Sequence, residues 1–577
     1  MSHSTTSNIM VPMRDGIRLA TDIWVPDASP APVLLVRLPY GKDIFPDAPM
    51  IPGRESLVEQ GYAVVWQDVR GRYRSEGQDF EPFVGEVDDG ADTVAWIMAQ
   101  PWCDGHVGSY GASYLGVVQW QTASSRPAGL AAIAPHFAST DVYKAPWFGE
   151  GGAMSWHLVH TWSTLNSIAP ALTSFEEYMA VIAEGEALVD ALPMADRPRL
   201  RDETTWWSTW MTHTARDDYW KALAVSADPS AVEVPALSIG GWFDVYVNDT
   251  VNSYRLMSES AGSAAAREGQ RLFIGPWDHL SQSGTYPGRD FGAAASAGAS
   301  GIEQLHLRFF DRHLRGDTAA LDGDAPVRIF VMGIDEWRDE QSWPLHDTVH
   351  TDYYLDGAGD AATASGDGVL TTAVPEHDAR DVYRYDPADP VPSIGGRMLR
   401  ASEAGGCGPV DQSAVEHRPD VLCFTTPVLD SAVEVTGQVS LVLHVSSSAL
   451  DTDFTGKLVD VHPDGRALYL TDGILRMRHR TALDVSEPLT PDAVYEIRLD
   501  LSVTSNVFLA GHRIRLEVSS SNYPRFDRNT NTGRGITDET ESVVARNTVL
   551  HGPGHPSRLV LPVIDRTDSG SGYDHDH

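Results

Sequence analysis

Short apolar runs alternate with amphipathic helical segments over the first 140 residues. A hairpin is predicted at the start, from NIMVPM, a turn at Asp15 and Gly16, and the alternating run IRLATDIWVP. The continuous apolar runs in PVLLVRLPYG and GYAVVWQDVRG are typical of strands buried on both faces. Between Glu86 and Gln100, apolar side chains recur at helical spacing. Because strands alternate with helices, we predict a mostly parallel sheet with helices on both faces.

This alternation stops near Ser139. From 141 to 226 the chain is rich in Trp, Met, Leu and Ala at helical spacing, and we predict a helical insertion domain. Strands resume in VPALSIGGWFD and RLFIGPWDH, and the helix IEQLHLRFFDRHLRG ends at Gly316. Residues 1–140 and 227–345 are therefore assigned to one α/β catalytic domain.

The region from 346 to 566 shows a different pattern. Runs such as VEVTGQVSLVLHVSS, YEIRLDLS and SRLVLPVI alternate apolar with polar residues between turn signals. Many short strands at this spacing predict an antiparallel β-sandwich of the jelly-roll type. The final stretch, 567–577, reads as a disordered tail.

The net charge, the apolar runs and the cysteines indicate which partners, location and cofactors to expect. A formal net charge of −37 disfavours nucleic acid and anionic membranes. Met1 to Pro12 has no apolar core of a signal peptide, and no run approaches the roughly twenty apolar residues of a membrane helix. The three cysteines form no Cys/His cluster with zinc spacing. We therefore expect a soluble cytoplasmic protein without metal or cofactor.

A candidate nucleophile lies in the segment Gly111-Ala112-Ser113-Tyr114-Leu115-Gly116. A strand precedes this segment and a helix follows, as in the sharp turn that exposes the serine of α/β-hydrolases. The usual pattern has glycine two residues after the serine, where this chain has Leu115. From the residues alone, a glycine-rich turn capped by serine explains the segment about as well.

Two further side chains support the nucleophile. Asp244 follows the strand ALSIGGWF, and His279 follows RLFIGPW, so both come after strand ends, where active sites of open α/β sheets lie. The chain order serine, acid, base is that of α/β-hydrolases. Asp249 is a weaker rival to Asp244, because it lies several residues past the strand end. Asp278 would project away from its neighbour His279, and we assign it a structural role.

The oxyanion hole needs two hydrogen-bond donors. The backbone N–H of Tyr114, directly after Ser113, is one by position. Tyr40, in RLPYGKD, stands where the second donor normally arises, and its phenol could donate. On the residues alone, an aromatic side chain that packs at a loop is the simpler explanation for Tyr40.

These motifs together resemble the cocaine-esterase-like (CocE/NonD) family of α/β-hydrolases, which is related to X-prolyl dipeptidyl peptidases and α-amino acid ester hydrolases. The resemblance runs from MVPMRDGIRLATDIW to HPSRLVLPVI and includes these motifs in order: LVRLPYGK, VVWQDVRGRYRSEG, WCDGHVGSYGASYLG, GGWFD, GPWDH, FFDRHLRG, FVMGIDEWRDE, YDPADPVPSIGG, DTDFTGKLVDVHPDGRA and TSNVFLAGHRIRLEVSSSN. It implies an α/β-hydrolase domain, a helical insertion and a C-terminal jelly roll. The family's modified elbow, G-x-S-Y-x-G, accounts for Leu115 and the shifted Gly116. The resemblance also places the triad on Ser113, Asp244 and His279, and the tyrosine oxyanion donor on Tyr40.

The resemblance further implies an acyl-side pocket lined from all three domains, with the residues Trp147, Trp162, Leu165, Tyr246, Leu399 and Arg400. Tyr246 and Arg400 each stand where the family's cocaine-hydrolysing member has a phenylalanine. A guanidinium facing an aryl group would disfavour benzoyl esters, so a smaller or more polar acyl group is expected.

We therefore predict a serine carboxylesterase that forms an acyl-enzyme. One alternative is an α-amino acid ester hydrolase or X-prolyl dipeptidyl peptidase-like hydrolase, which must anchor an ammonium group on acidic residues. A remote alternative is a carbohydrate-binding module on an inactive hydrolase scaffold. The expected partner is a small-molecule ester rather than nucleic acid or membrane, and a homodimer is the assembly to test.

Overall fold

A computed structural model describes residues 3–45, 52–78, 80–174, 192–400 and 406–565, together with residues 176, 177 and 180. The predicted tail, 567–577, lies outside these residues, as does part of the predicted helical insertion. Among the described residues, no helix is both long enough and apolar enough to cross a membrane.

Twelve strands occur in the described residues up to position 340. They are β1 (His3–Pro12), β2 (Arg18–Pro26), β3 (Ala31–Leu38), β4 (Ala63–Asp68), β5 (Cys103–Ala112), β6 (Leu130–His136), β7 (Leu237–Gly241), β8 (Arg271–Gly275), β9 (Thr285–Tyr286), β10 (Arg289–Asp290), β11 (Val327–Val331) and β12 (Glu336–Glu340). All except the β9–β10 pair form one sheet, in the order β1-β2-β4-β3-β5-β6-β7-β8-β11-β12.

The centre of this sheet is parallel and its edges are antiparallel. The seven strands from β4 to β11 in that order run parallel to one another. The β1–β2 hairpin and β12 add the antiparallel edges. Strands β3 and β4 are buried along their whole length, because helices cover both faces of a parallel sheet. The predicted α/β-hydrolase sheet is confirmed.

Eleven α-helices have bounds within the described residues. They are α1 (Arg54–Glu59), α2 (Glu86–Met98), α3 (Tyr114–Ser124), α4 (Trp156–Ile168), α5 (Pro198–Glu203), α6 (Trp206–Thr212), α7 (Asp218–Leu223), α8 (Val247–Ser260), α9 (Ala264–Glu268), α10 (Ala297–Ser300) and α11 (Ile302–Leu314). Helices α4 to α7 lie between β6 and β7, within the predicted insertion. Helix α11 ends two residues before Gly316, whose φ of +70° suits glycine.

The C-terminal region is an antiparallel β-sandwich, as predicted. Its strands are β13 (Thr348–Asp356), β14 (Val369–Thr371), β15 (Ala379–Tyr385), β16 (Leu422–Thr425), β17 (Val433–Ser447), β18 (Asp453–Val461), β19 (Ala467–Arg476), β20 (Tyr495–Phe508), β21 (Arg513–Ser519), β22 (Ala545–His551) and β23 (Arg558–Ile564). Only β14 and β16 pair in parallel; every other strand pair here is antiparallel in the described residues.

The sandwich joins the first sheet at Met332. The Met332 N–H donates to the Ser505 carbonyl at 3.1 Å, and the Val507 N–H donates to the Met332 carbonyl at 2.8 Å. Within the first sheet, Trp242, which follows β7, donates its indole N–H to the Phe330 carbonyl of β11 at 2.7 Å. The two hydrogen bonds of Met332 hold the sandwich against the end of β11, which belongs to the same sheet as the strands that precede the candidate acid and base.

Candidate active site

Ser113 lies in a strained turn between β5 and α3. Its φ is +62° and its ψ is −126°, a conformation that residues other than glycine seldom adopt. The turn is fixed by the Ser113 N–H, which donates to the His136 carbonyl at 2.9 Å, and by the Gly116 N–H, which donates to the Ser113 carbonyl at 2.8 Å. This geometry is that of the exposed serine of α/β-hydrolases.

The glycines of this turn are required by space and by backbone angle. Gly111 has a φ of +132°. A Cβ at Gly116 would lie 2.6 Å from the Ala138 Cβ and 3.0 Å from the His136 carbonyl oxygen, so the helix packs closely on β6 at this point. Leu115 is instead buried in the core with 2% exposure. The close approach therefore falls at position 116, which explains why the second glycine is shifted by one residue.

Three side chains from the ends of three strands meet in a hydrogen-bonded line. His279, after β8, places Nε2 3.1 Å from the Ser113 Oγ. Its Nδ1 lies 2.6 Å from Oδ2 of Asp244, after β7. Asp244 is fully buried, whereas the His279 side chain is 12% exposed. The structure thus brings together the three residues predicted as the triad, in the arrangement that lets an imidazole take a serine proton.

The two neighbouring aspartates are engaged elsewhere. Asp249 accepts hydrogen bonds from the Ser139 hydroxyl and from the Thr140 N–H, and burial raises its pKa to about 7. Asp278 accepts the N–H groups of Leu280 and Ser281 at 2.8 and 2.9 Å. Asp249 therefore does not replace Asp244 beside the histidine, and Asp278 holds the loop that follows His279.

Two buried tyrosine side chains lie close to the triad. The Tyr40 hydroxyl, after β3, accepts the Trp162 indole N–H at 3.2 Å. The Tyr246 ring stacks against the His279 imidazole, and its backbone N–H donates to Asp244 Oδ1 at 2.8 Å. Burial raises the pKa of Tyr40 to about 12, against smaller lowering effects of Trp162, Arg72 and Ser113, so its phenol keeps its proton near neutral pH. A neutral phenol can donate a hydrogen bond, as an oxyanion donor must.

Tyr114 offers its backbone rather than its side chain. Its N–H opens α3, where the N–H groups of a helix have no partner within the helix. Its hydroxyl donates to Glu86 at 2.7 Å and accepts the Phe83 N–H at 3.1 Å. The side chain thus anchors the start of α3, and the N–H lies directly after Ser113, as an oxyanion donor must.

Two of the predicted pocket residues, Trp147 and Trp162, lie in a dense aromatic cluster. Trp147 and Trp162 contact edge to face, with ring centroids 5.4 Å apart. Trp210 of α6 lies 4.6 Å from Trp147 and 6.0 Å from Trp162, and Trp206 lies 5.9 Å from Trp162. The predictions did not include Trp206 and Trp210. The sequence WWSTWM places several tryptophans on one short helix, but its position against the pocket is a tertiary property.

The remaining predicted pocket residues differ in burial. Leu165 is 1% exposed and Leu399 is 6% exposed. Leu399 shares a core with the tryptophans, and it also lines a cavity between the domains, together with Val245 and Pro146. Arg400 is half-buried, and it directly precedes residues outside the described ranges. That the Arg400 guanidinium faces the acyl group remains a prediction.

Sequence reasoning missed Phe137, one of the two aromatic side chains that flank the base. The His279 ring lies between Phe137, at 5.6 Å, and Tyr246, at 5.7 Å between ring centroids. His136 is buried beside them, and burial, together with the nearby His306 and His279, lowers its pKa well below the usual range. The run PHFAS after β6 carries no pattern that links it to a histidine far along the chain.

Three side chains of the sandwich are arranged so that they could bind a metal ion. Asp460, His462 and His512 offer ligand atoms that all lie within 4.8 Å of one another. His512 Nδ1 lies 2.8 Å from Asp460 Oδ1, and the two histidine rings are 4.3 Å apart. Sequence spacing could not reveal this group, because β18 and β21 pair across 52 positions of sequence. The group belongs to the sandwich and has no contact with Ser113.

Comparison with known proteins gives consistent matches over almost the whole chain. Residues 15–281 match the model of the X-Pro dipeptidyl-peptidase (S15 family), and residues 319–560 match that of the X-Pro dipeptidyl-peptidase C-terminal non-catalytic domain. The chain is 46% identical to cocaine esterase of Rhodococcus sp. over 98% of its own length and 99% of that protein's.

Solved structures agree with this fold. An aminopeptidase from a marine sediment archaeon, Thaumarchaeota archaeon, superposes with a TM-score of 0.82 and 25% identity, and it covers 98% of this chain and 96% of its own. An α-amino acid ester hydrolase gives a TM-score of 0.81 at 24% identity, with 97% and 96% covered. The second likeness supports the fold alone.

Proposed function

The chain belongs to the S15 family of X-Pro dipeptidyl-peptidases and their ester-hydrolysing relatives, and we propose that it is a carboxylesterase with Ser113 as its nucleophile. The observation that carries this proposal is the line of hydrogen bonds from Ser113 through His279 to Asp244. The 46% identity to a named esterase favours an ester over a peptide as the substrate.

The proposed reaction begins at the Ser113 hydroxyl. His279 accepts its proton through Nε2 while Oγ attacks the ester carbonyl carbon, and Asp244 stabilises the imidazolium that forms. The Tyr40 phenol and the Tyr114 N–H donate to the oxyanion of the tetrahedral intermediate. His279 then gives the proton to the leaving alcohol, and the acyl group remains on Ser113. Water, activated by the same histidine, releases the acid and restores the serine.

Cocaine is the substrate named for the Rhodococcus relative. For this chain we propose an acyl group smaller or more polar than benzoyl, because Tyr246 and Arg400 stand at two positions where the resemblance implies phenylalanine. The acyl side of the proposed pocket comprises Trp147, Trp162, Leu165, Tyr246, Leu399 and Arg400.

An active-site label tests the proposed nucleophile. A fluorophosphonate that carries a fluorophore should label the wild-type protein and leave Ser113→Ala unlabelled. The same protein should hydrolyse p-nitrophenyl esters of short acids. A protein that is labelled at another serine, or that hydrolyses amino-acyl esters while leaving simple esters intact, would contradict the proposal.

We propose the cytoplasm as the location and a small-molecule ester as the binding partner, with neither nucleic acid nor a membrane involved. Support comes from the net charge of −37 and from the three cysteines, none of which forms a disulfide bond in the described residues. A homodimer stays a prediction, which multi-angle light scattering of the purified protein would check.

A further inference from the structure

Three side chains at one end of the sandwich converge, far from the proposed triad in the fold. Asp460, His462 and His512 each offer one ligand atom, and these atoms lie within 4.8 Å of one another. His512 Nδ1 lies 2.8 Å from Asp460 Oδ1, and His462 Nε2 lies 3.8 Å from Asp460 Oδ2. In the part of the chain that the structure describes, no other three His, Cys, Asp or Glu side chains bring their ligand atoms this close together.

The pairing of β18 with β21 explains why these side chains meet. Asp460 lies opposite Ile514 in the antiparallel register, so two positions further along His462 stands opposite His512. Because side chains alternate between the two faces of a strand, all three point to the same face. The two imidazole rings are accordingly 4.3 Å apart between centroids. The group is thus built from the end of β18 and the turn that precedes β21.

This face of the two strands is otherwise apolar. Leu458, Ile514 and Leu516 share it, and all three belong to the main core of the sandwich and are fully buried. Asp460 continues the same face with 5% exposure, and His512 is buried as well. A carboxylate in such a position is unfavourable unless it is paired or binds a metal ion.

The ion pairs of Asp460 do not include a permanent cation. Its two charge partners are the imidazoles of His462 and His512, and no Lys or Arg of the described ranges forms an ion pair with it. Arg466, which follows in the next turn, pairs with Asp464 instead. The buried carboxylate therefore faces two nitrogen ligands and lacks a fixed positive charge.

We propose that Asp460, His462 and His512 bind a divalent transition-metal ion of the zinc class, which joins the end of β18 to the start of β21. Two imidazole nitrogens with one carboxylate suit Zn²⁺ or Co²⁺, whereas Mg²⁺ and Ca²⁺ prefer oxygen ligands throughout. Three protein ligands leave one position of a tetrahedral ion for water. The partly exposed His462 gives the ion a route from solvent.

The distances fit such an ion. Ligand atoms about 2.1 Å from a tetrahedral zinc lie about 3.4 Å apart, and the two observed separations of 2.8 and 3.8 Å lie on either side of that value. The two turns also lie side by side, because a Cβ built at Gly511 would be 3.6 Å from Pro463 Cγ. An ion that binds the folded chain alone would stabilise this end of the sandwich.

Isothermal titration of the full chain, first stripped with EDTA, tests the site with ZnCl2 and with MgCl2. We expect one tightly bound Zn²⁺ per chain and no comparable binding of Mg²⁺. His462→Ala and Asp460→Asn should each weaken Zn²⁺ binding by about tenfold or more, because loss of a ligand should cost at least as much as loss of the partner behind one. ZnCl2 should also raise the melting temperature of wild type more than that of either variant. Since His462 is partly exposed, His462→Ala keeps the test valid even if Asp460→Asn fails to fold.

His555→Ala is the matched control. The rings of His444 and His555 are 5.5 Å apart, and His444 Nε2 lies 3.3 Å from a Glu496 carboxylate oxygen, so the same sandwich holds a second imidazole pair beside an acid. Its ligand atoms do not converge as closely, and His555→Ala should leave Zn²⁺ binding unchanged.

The sequence carries two further imidazoles, His575 and His577, close to its last residue. A variant with alanine at both positions should retain the tight Zn²⁺ site. Wild-type affinity for Zn²⁺ in His462→Ala, loss of binding in the variant that lacks His575 and His577, or a wild-type protein that binds no Zn²⁺ would each overturn the proposal. None of these outcomes bears on the proposed esterase function, which ester hydrolysis tests separately.

Discussion

The indole N–H of Trp162 donates to the hydroxyl of Tyr40, the proposed oxyanion donor, at a distance of 3.2 Å. Because the indole can only donate, it fixes the direction of the phenol proton. A residue of the helical insertion thereby orients a donor that follows a strand of the catalytic sheet. This relationship links the insertion to the proposed chemistry and not only to the shape of the pocket.

Tyr40→Phe should reduce kcat by about a hundredfold or more, because one donor to the oxyanion is lost. KM should change much less, since this hydrogen bond strengthens mainly as charge develops in the transition state. Steady-state kinetics with an ester for which acylation limits the rate would measure both. Trp162→Phe, which retains the aromatic ring, should reduce kcat by a smaller factor. If Tyr40→Phe had the same kcat as wild type, Tyr40 would not be an oxyanion donor and would only pack at this loop.

The three residues of the proposed triad, Ser113, His279 and Asp244, could be predicted from the sequence. Each of them follows a strand that the sequence pattern predicts. Strand β12, EWRDE, was not predicted, since it is charged and partly exposed at the sheet edge and lacks an apolar alternation. The position of the Tyr246 ring against His279 could not be predicted from the sequence either. Sequence places Tyr246 two residues after Asp244, but the direction of its ring depends on the stacking against His279.

Ser113→Ala and His279→Ala should each remove nearly all ester turnover and leave the fold intact. The double variant should be little worse than either single variant, because the members of a triad act as a unit. Initial rates, with circular dichroism as the control for folding, would test this. Activity above a few per cent of wild type in Ser113→Ala would assign the nucleophile to another residue.

Gly116→Ala should destabilise the protein and impair the site together. The new methyl group would lie 2.6 Å from the Ala138 Cβ and 3.0 Å from a carbonyl oxygen, so α3 must shift and carry Ser113 with it. Overpacking of this kind costs about 1–3 kcal/mol of unfolding free energy. Denaturant unfolding and ester turnover would show both effects. Gly298→Ala is the control, because its added Cβ would enter open space, and it should leave ester turnover unchanged and should not lower the unfolding free energy.

Asp249→Asn should gain stability relative to wild type as the pH rises. Burial raises the pKa of Asp249 to about 7, well above that of an aspartate in the unfolded chain. The folded protein therefore holds a proton that the unfolded chain releases, and this contribution to stability is lost as the pH rises toward and through 7. Asparagine does not titrate. The melting temperature of Asp249→Asn minus that of wild type should increase from pH 5 to pH 8. A difference that stays constant over this range would contradict the prediction.

Arg400→Phe combined with Tyr246→Phe should move the selectivity toward benzoyl esters. The two changes would place phenylalanine at both positions where the family resemblance implies it. They would replace a guanidinium and a phenol with apolar rings. A gain in apolar contact of this size is worth about 1–3 kcal/mol, or roughly ten- to two-hundredfold in selectivity. The ratio of kcat/KM for phenyl benzoate and phenyl butyrate, in wild type and in the double variant, measures the change. An unchanged ratio would mean that neither side chain faces the acyl group.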